Sequence, residues 1–218
     1  MNLIVCGRRL EGKSTLSLKL ARESHRGIVI FDPRGMFAGF RCADAGDVDD
    51  AIREREWEKQ PIILTPAGDP MDCFSDLCDV LFPPQFTLSD FGLVIDEAGM
   101  LQSSHSSHPA LARAVAQHPH RGITIIQNTH RLPEIHGKSK ALMDDLYIFK
   151  TTHPGDLATL LDFVEGDAEV IERVQALPPH HCIHYTYRRE AGAQWNLLDK
   201  PELWYAPIQE GRAYAEET

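Results

Sequence analysis

The sequence predicts an α/β fold: a mostly parallel central sheet flanked by helices. Three observations carry this. Short apolar runs alternate with helical patterns along most of the chain, as in a sheet covered by its crossover helices. The runs are rich in Ile, Val and Leu with little polar alternation, as strands buried on both faces should be. A glycine-bounded turn, Gly7 to Ser14, joins the first run to the first helical pattern.

Strands are predicted at Asn2–Cys6, Ile28–Asp32, Pro61–Thr65, Phe91–Asp96, Ile123–Asn128 and Leu146–Thr151. Between them, Lys13–His25 places Leu16, Leu18, Leu20 and Ala21 on a helix. Asp47–Lys59, Asp69–Leu81, Pro109–Gln117 and Gly137–Met143 are further helices. Beyond Pro178 and Pro179 the pattern changes to an alternating run from His181 to Arg189, a half-exposed strand that Trp195–Leu198 would pair with as a hairpin. Residues 1–178 would then form the core. Residues 179–218 would form a β appendage and a polar tail packed on the same domain.

Composition narrows the function classes. The chain has 218 residues, 43% apolar and 25% charged, the balance of one soluble globular domain. No run approaches the length of a membrane span, and the first apolar run has its basic residues after it, the reverse of a signal peptide. A cytoplasmic protein without a membrane span is expected. Net charge is −10, from 22 basic and 32 acidic residues, which excludes a surface basic throughout but not a local basic track. The five cysteines, at 6, 42, 73, 78 and 182, read as reduced thiols.

Gly7-Arg8-Arg9-Leu10-Glu11-Gly12-Lys13-Ser14 fits the P-loop (Walker A) pattern at every required position. Its spacing lets successive backbone N–H groups and the positive end of the following helix face one phosphate chain. Lys13 would reach the β- and γ-phosphates, Ser14 would ligate Mg²⁺, and Thr15 would support the α-phosphate. The second motif is an apolar strand ending in Asp96 and Glu97, a Walker B pattern. Asp96 would hold Mg²⁺ and Glu97 would orient and deprotonate the attacking water. ATP and Mg²⁺ are the expected ligands, since no guanine-reading Asn-Lys-x-Asp occurs. The third motif is the strand Ile123–Asn128, turning polar through Thr129, His130 and Arg131. Asn128 or His130 would sense the γ-phosphate.

The order of Gly7–Ser14, then Ile30-Phe31-Asp32-Pro33-Arg34-Gly35, then Val94-Ile95-Asp96-Glu97-Ala98 resembles the FtsK–HerA superfamily of ring-forming motor ATPases. The stretch from Gly122 to Pro133 and the run from Asp145 to Lys150 add to the likeness, which covers about residues 1–165. Small viral genome-packaging ATPases are similar, and so are the zonular occludens toxin-like proteins. The resemblance implies a RecA-like sheet, a homo-hexameric ring, double-stranded DNA as the translocated partner, and a capsid or portal-like vertex protein as a further one. Location would be the host cytoplasm or the virion. It also implies an arginine acting on a neighbour's γ-phosphate, for which Arg121 is the expected residue and Arg113 the alternative. His130 stands where the family has Gln after Thr.

Lys138, Lys140 and Arg131 would track DNA phosphates in a pore. Arg34 would contact phosphate, contact a neighbouring subunit, or be a solvated turn residue. His105, His108, His118 and His120 lack cysteines or carboxylates at metal-ligand spacing. Rival readings are an ATPase of secretion or phage morphogenesis, a nucleotide-gated assembly module, and a metabolic kinase.

Overall fold

The computed structural model describes residues 1–83, 90–188 and 192–198. In chain order the strands are β1 (Asn2–Cys6), β2 (Gly27–Phe31), β3 (Phe40–Cys42), β4 (Ile62–Leu64), β5 (Phe91–Ile95), β6 (Thr124–Thr129), β7 (Asp145–Phe149), β8 (Cys182–Arg188) and β9 (Gly192–Leu198). The helices are α1 (Lys13–Ser24), α2 (Ala45–Arg53), α3 (Pro70–Leu81), α4 (Pro109–Arg121), α5 (Gly137–Ala141), α6 (Pro154–Phe163) and α7 (Ala168–Ala176).

One sheet contains all nine strands in the order β3-β4-β2-β5-β6-β1-β7-β8-β9. Strands β1 to β7 run parallel, while β8 and β9 extend the edge as an antiparallel hairpin. This is the α/β architecture the buried apolar runs predict, with a short β appendage. Every residue of β1, β2, β5, β6 and β7 is buried, which is why those runs show no polar alternation.

Period two divides the strand residues between two faces. Ile28, Ile30, Val94, Ile126, Leu3 and Val5 pack with Leu16 and Ala21 of α1. Val29, Phe31, Leu93, Ile95 and Ile125 pack on the other face with α2, α3 and α4. On that same side, Ile4, Leu146 and Ile148 meet Leu160 and Val164 from α6 and its end, and Val170 and Val174 of α7.

Several boundaries differ from expectation. Asp47–Lys59 divides into α2 and a separate 3-10 turn at Glu56–Glu58, because Arg55 takes a left-handed φ of 61°. Helix α4 runs on to Arg121 through Pro119. A proline there removes the N–H that Val115 C=O would accept; the ring Nδ1 of His118 supplies a donor to that carbonyl instead, at 2.7 Å. β3, α6 and α7 were not anticipated. The polar tail expected over the last dozen residues lies outside the described residues.

Candidate nucleotide-binding site

The turn between β1 and α1 is shaped by two glycines with different duties. At Gly7 a Cβ would stand 2.6 Å from the Phe149 Cβ of neighbouring β7, so only glycine lets the strand end so close. Gly12 adopts φ 102° as the residue before α1 and offers no side-chain cap. The first-turn N–H groups of α1 therefore remain for an anion. Arg8, Arg9 and Leu10 form the exposed crest. Arg8 Nη2 donates to Thr152 Oγ1 at 2.8 Å. Glu11 accepts the backbone N–H of His180 at 3.1 Å, tying the loop to the segment before β8. Ser14 and Thr15 are half-buried at the start of α1.

Lys13 is buried to 8% exposure and its ammonium reaches three acceptors. These are Gly7 C=O at 2.8 Å, Arg8 C=O at 2.9 Å and His130 Nδ1 at 3.1 Å. Burial pulls its pKa below the usual lysine value, against the pull of nearby acids that include Asp96 and Glu97.

Across the sheet the ends of three adjacent strands set a polar row on the α1 face. Phe31 pairs with Ile95 and Ile95 with Gln127, so Asp32, Asp96 and Asn128 come next in register. Asn128 Nδ2 donates to Asp96 Oδ1 at 3.1 Å, and Ser17 Oγ of α1 donates to Asn128 Oδ1. Asp32 is fully buried; its Oδ2 accepts the Phe37 N–H at 2.8 Å, while its Oδ1 has no partner among the described residues. Burial raises the Asp96 pKa, opposed by the Asn128 hydrogen bond and reinforced by Glu97 and Asp32. Hard oxygen donors at a strand tip suit Mg²⁺. The elevated Asp96 and the orphaned Asp32 oxygen mark a spot that gains from a cation, so the residues present fit the metal.

Glu97 follows Asp96 in a left-handed conformation, φ 56°, uncommon for a side chain with a Cβ. Its Oε1 lies 2.7 Å from His130 Nε2 and 3.2 Å from Arg34 Nη1. Sequence reasoning placed Lys13, Asp96, Glu97, Asn128 and His130 here individually. It did not anticipate the Arg34 and Ser17 contacts. The Asp32-to-Gly35 turn was the available signal for the first.

Other expected residues lie elsewhere. Arg121 ends α4 just before β6, whereas the P-loop follows the other end of neighbouring β1. About 15–20 Å of strand separates them, so Arg121 cannot reach the phosphates bound by its own chain. Lys138 and Lys140 on α5 share Arg121's edge, since Asn2 Nδ2 donates to Ser139 C=O. Arg131 sits at the P-loop edge instead, held by Asp156 Oδ1 at 3.2 Å and His153 Nδ1 at 3.3 Å. The three pore candidates thus form no single patch. A cavity of about 370 Å³ beside the P-loop is lined by Arg8, Arg9, His130, Arg131, His153 and Asp156, among others. His108 caps α4 and His118 is buried within it; no group of three or more His, Cys, Asp and Glu able to hold a metal ion occurs among the described residues. No helix among those residues is long and apolar enough to cross a membrane.

The strand–turn–helix around Lys13, with an acid-tipped strand two places away, defines a P-loop NTPase fold. The chain is similar to the genome packaging NTPase B204 from Sulfolobus turreted icosahedral virus 2, at 19% identity and TM-score 0.69, covering 89% of this chain and 94% of that one. The same protein in complex with ATP-gammaS matches at 21% identity and TM-score 0.68, covering 89% and 95%. B204, the DNA-packaging ATPase from Sulfolobus Turreted Icosahedral Virus, matches at 19% and 0.64, covering 90% and 98%. VirB4 of Thermoanaerobacter pseudethanolicus matches at 10% and 0.61, covering 90% and 88%. At such identities the likeness establishes a shared fold. No protein-family model matches the chain, and no curated protein matches it.

Proposed function

We propose that this chain hydrolyses ATP to move double-stranded DNA, as a viral genome-packaging motor working in a homo-hexameric ring. The observation that carries the proposal is the constellation of Lys13, His130 and Glu97 beside Asp96, above an uncapped helix N-terminus. Support for the substrate comes from the similar B204 structures, described as genome-packaging and solved with ATP-gammaS. Residues 1–178 would be the ATPase core and 179–218 its C-terminal appendage. The host cytoplasm or the virion would be the place of action, and a capsid or portal-like vertex protein a further partner.

In this reading the segment from Gly7 to Thr15 wraps the phosphates with its backbone N–H groups. Lys13 exchanges its carbonyl partners for the β- and γ-phosphates. Ser14 and Asp96 would hold Mg²⁺, which when bound neutralises charge developing on the β,γ-bridging region. Glu97 takes the proton of the attacking water through Oε2, the oxygen with no protein partner among the described residues. Asn128, bonded to Asp96, and His130, bonded to Glu97, register the γ-phosphate. Arg121 would act on the site of the next subunit, and Lys138 and Lys140, which share Arg121's edge, would meet DNA phosphates.

The test is ATPase rate with and without double-stranded DNA, alongside light scattering for mass. Turnover by an oligomer, stimulated by DNA, supports the motor. Turnover by a monomer, indifferent to DNA, would overturn the motor while keeping the ATPase.

A further inference from the structure

The turn after β2 is built with more care than a solvated connection needs. Asp32 is fully buried, and its backbone C=O accepts the Gly35 N–H at 3.2 Å while its Oδ2 accepts the Phe37 N–H at 2.8 Å. Pro33 fixes its own φ, and Gly35 takes φ 67°, where a Cβ is strained. From β3, Arg41 donates to the carbonyls of Gly35 (3.2 Å) and Phe37 (2.9 Å). The one long side chain this frame carries toward the site is Arg34, whose Nη1 stands 3.2 Å from Glu97 Oε1.

We propose that Arg34 is a positioning residue that fixes the rotamer of the general base Glu97. This rests on the ATPase reading above. Glu97 is attached to a left-handed backbone, with three side-chain torsions free to swing. Arg34 and His130 approach the same oxygen, Oε1, from the β2 and β6 strand ends. A hydrogen bond from His130 and an ion pair with Arg34 on one oxygen hold the carboxylate and leave Oε2 to receive the water proton. A guanidinium suits the task, since it stays charged and its planar fork directs its N–H bonds. Arg34 itself is 40% exposed, so its replacement leaves no cavity in the core.

Turnover of ATP and affinity for ATP-gammaS in Arg34→Ala, Arg34→Gln and Arg34→Lys test the assignment in the full chain. Misplacing a reacting group lowers turnover steeply. We expect kcat to fall roughly 10- to 100-fold in Arg34→Ala and Arg34→Gln, affinity to change less than about threefold, and Arg34→Lys to recover part of the rate. Matched thermal melts exclude loss of fold, and if Arg34→Ala melts early the Gln and Lys variants decide. Unchanged or faster turnover overturns the proposal. So does an affinity loss as large as the rate loss, which would place Arg34 on phosphate. Absence of turnover in the wild type sinks the ATPase reading and this inference with it. Robust wild-type turnover with an indifferent Arg34→Ala sinks this inference alone.

Discussion

His130 Nε2 lies 2.7 Å from Glu97 Oε1, and the same ring presents Nδ1 to Lys13 Nζ at 3.1 Å. The geometry assigns the tautomer. Nδ1 also lies 3.3 Å from Gly7 C=O, but the closer Lys13 ammonium has no acceptor lone pair; with Nδ1 accepting from it, a neutral ring carries its proton on Nε2 and donates to Glu97. The expected phosphate-binding cation and the expected base are thereby linked by one imidazole.

His130→Ala should slow turnover by roughly 10- to 100-fold, because Glu97 loses a donor and Lys13 an acceptor. His130→Gln should retain more, since an amide both donates and accepts. Nitrogen chemical shifts of the ring should show Nε2–H without nucleotide and change when ATP-gammaS draws Lys13 toward phosphate. A ring that stays unchanged would contradict the linkage.

Asp96→Asn should stabilise the nucleotide-free protein while ending its response to Mg²⁺. Burial raises the Asp96 pKa. A group whose folded pKa exceeds its unfolded value is favoured by the fold when protonated. Its contribution is complete below the unfolded pKa and is lost as pH rises through the folded one. Above its folded pKa the wild type carries that buried charge and the asparagine does not, and Asn128 can still donate to the new amide oxygen. The melting temperature of the variant should exceed wild type at pH 7, the gap closing on acidification. A variant less stable at pH 7 would contradict this.

Gly7→Ala should destabilise by about 1–3 kcal/mol, as overpacking does. The new methyl meets Phe149 Cβ at 2.6 Å, an atom fixed to the backbone of β7 and unable to rotate away. For a chain of this size the melting point should drop by about 2–4 °C per kcal/mol. An unshifted melt would mean that β1 and β7 can part at no cost.

Arg121→Ala and Lys13→Ala should each be inactive in pure form, yet recover activity when mixed. In a ring with shared sites, an Arg121→Ala subunit keeps its own P-loop and takes its arginine from a Lys13→Ala neighbour. Equal mixing should restore roughly a quarter of wild-type activity, the chance of that pairing. No recovery would remove Arg121 from the role.

The site was more legible than its couplings. Gly7, Gly12 and Lys13 stand out because phosphate wrapping needs a fixed spacing, and Asp96 and Glu97 because an apolar strand leads straight into them. The Arg34–Glu97 contact depends on β2 lying beside β5, a non-local pairing that spacing does not encode. Strands β1, β2 and β5 were readable as apolar runs. β3 was not, because Phe40-Arg41-Cys42 is three residues at the sheet edge, with an exposed arginine in the middle. Helix α6 carries Leu157 and Leu160, with Val164 just past its end, and α7 carries Val170 and Val174, at helical spacing that is readable. Pro119 misled in the opposite sense, since its cost is met by the His118 ring.

The central claim is that Glu97 activates water over phosphates held by Lys13 and α1. The most direct measurement compares binding and hydrolysis of ATP by wild type and Glu97→Gln under saturating Mg²⁺. The account predicts near-equal affinity and a turnover lowered by at least about 100-fold, the low end for a general base. A Glu97→Gln protein that hydrolyses ATP at the wild-type rate would contradict it.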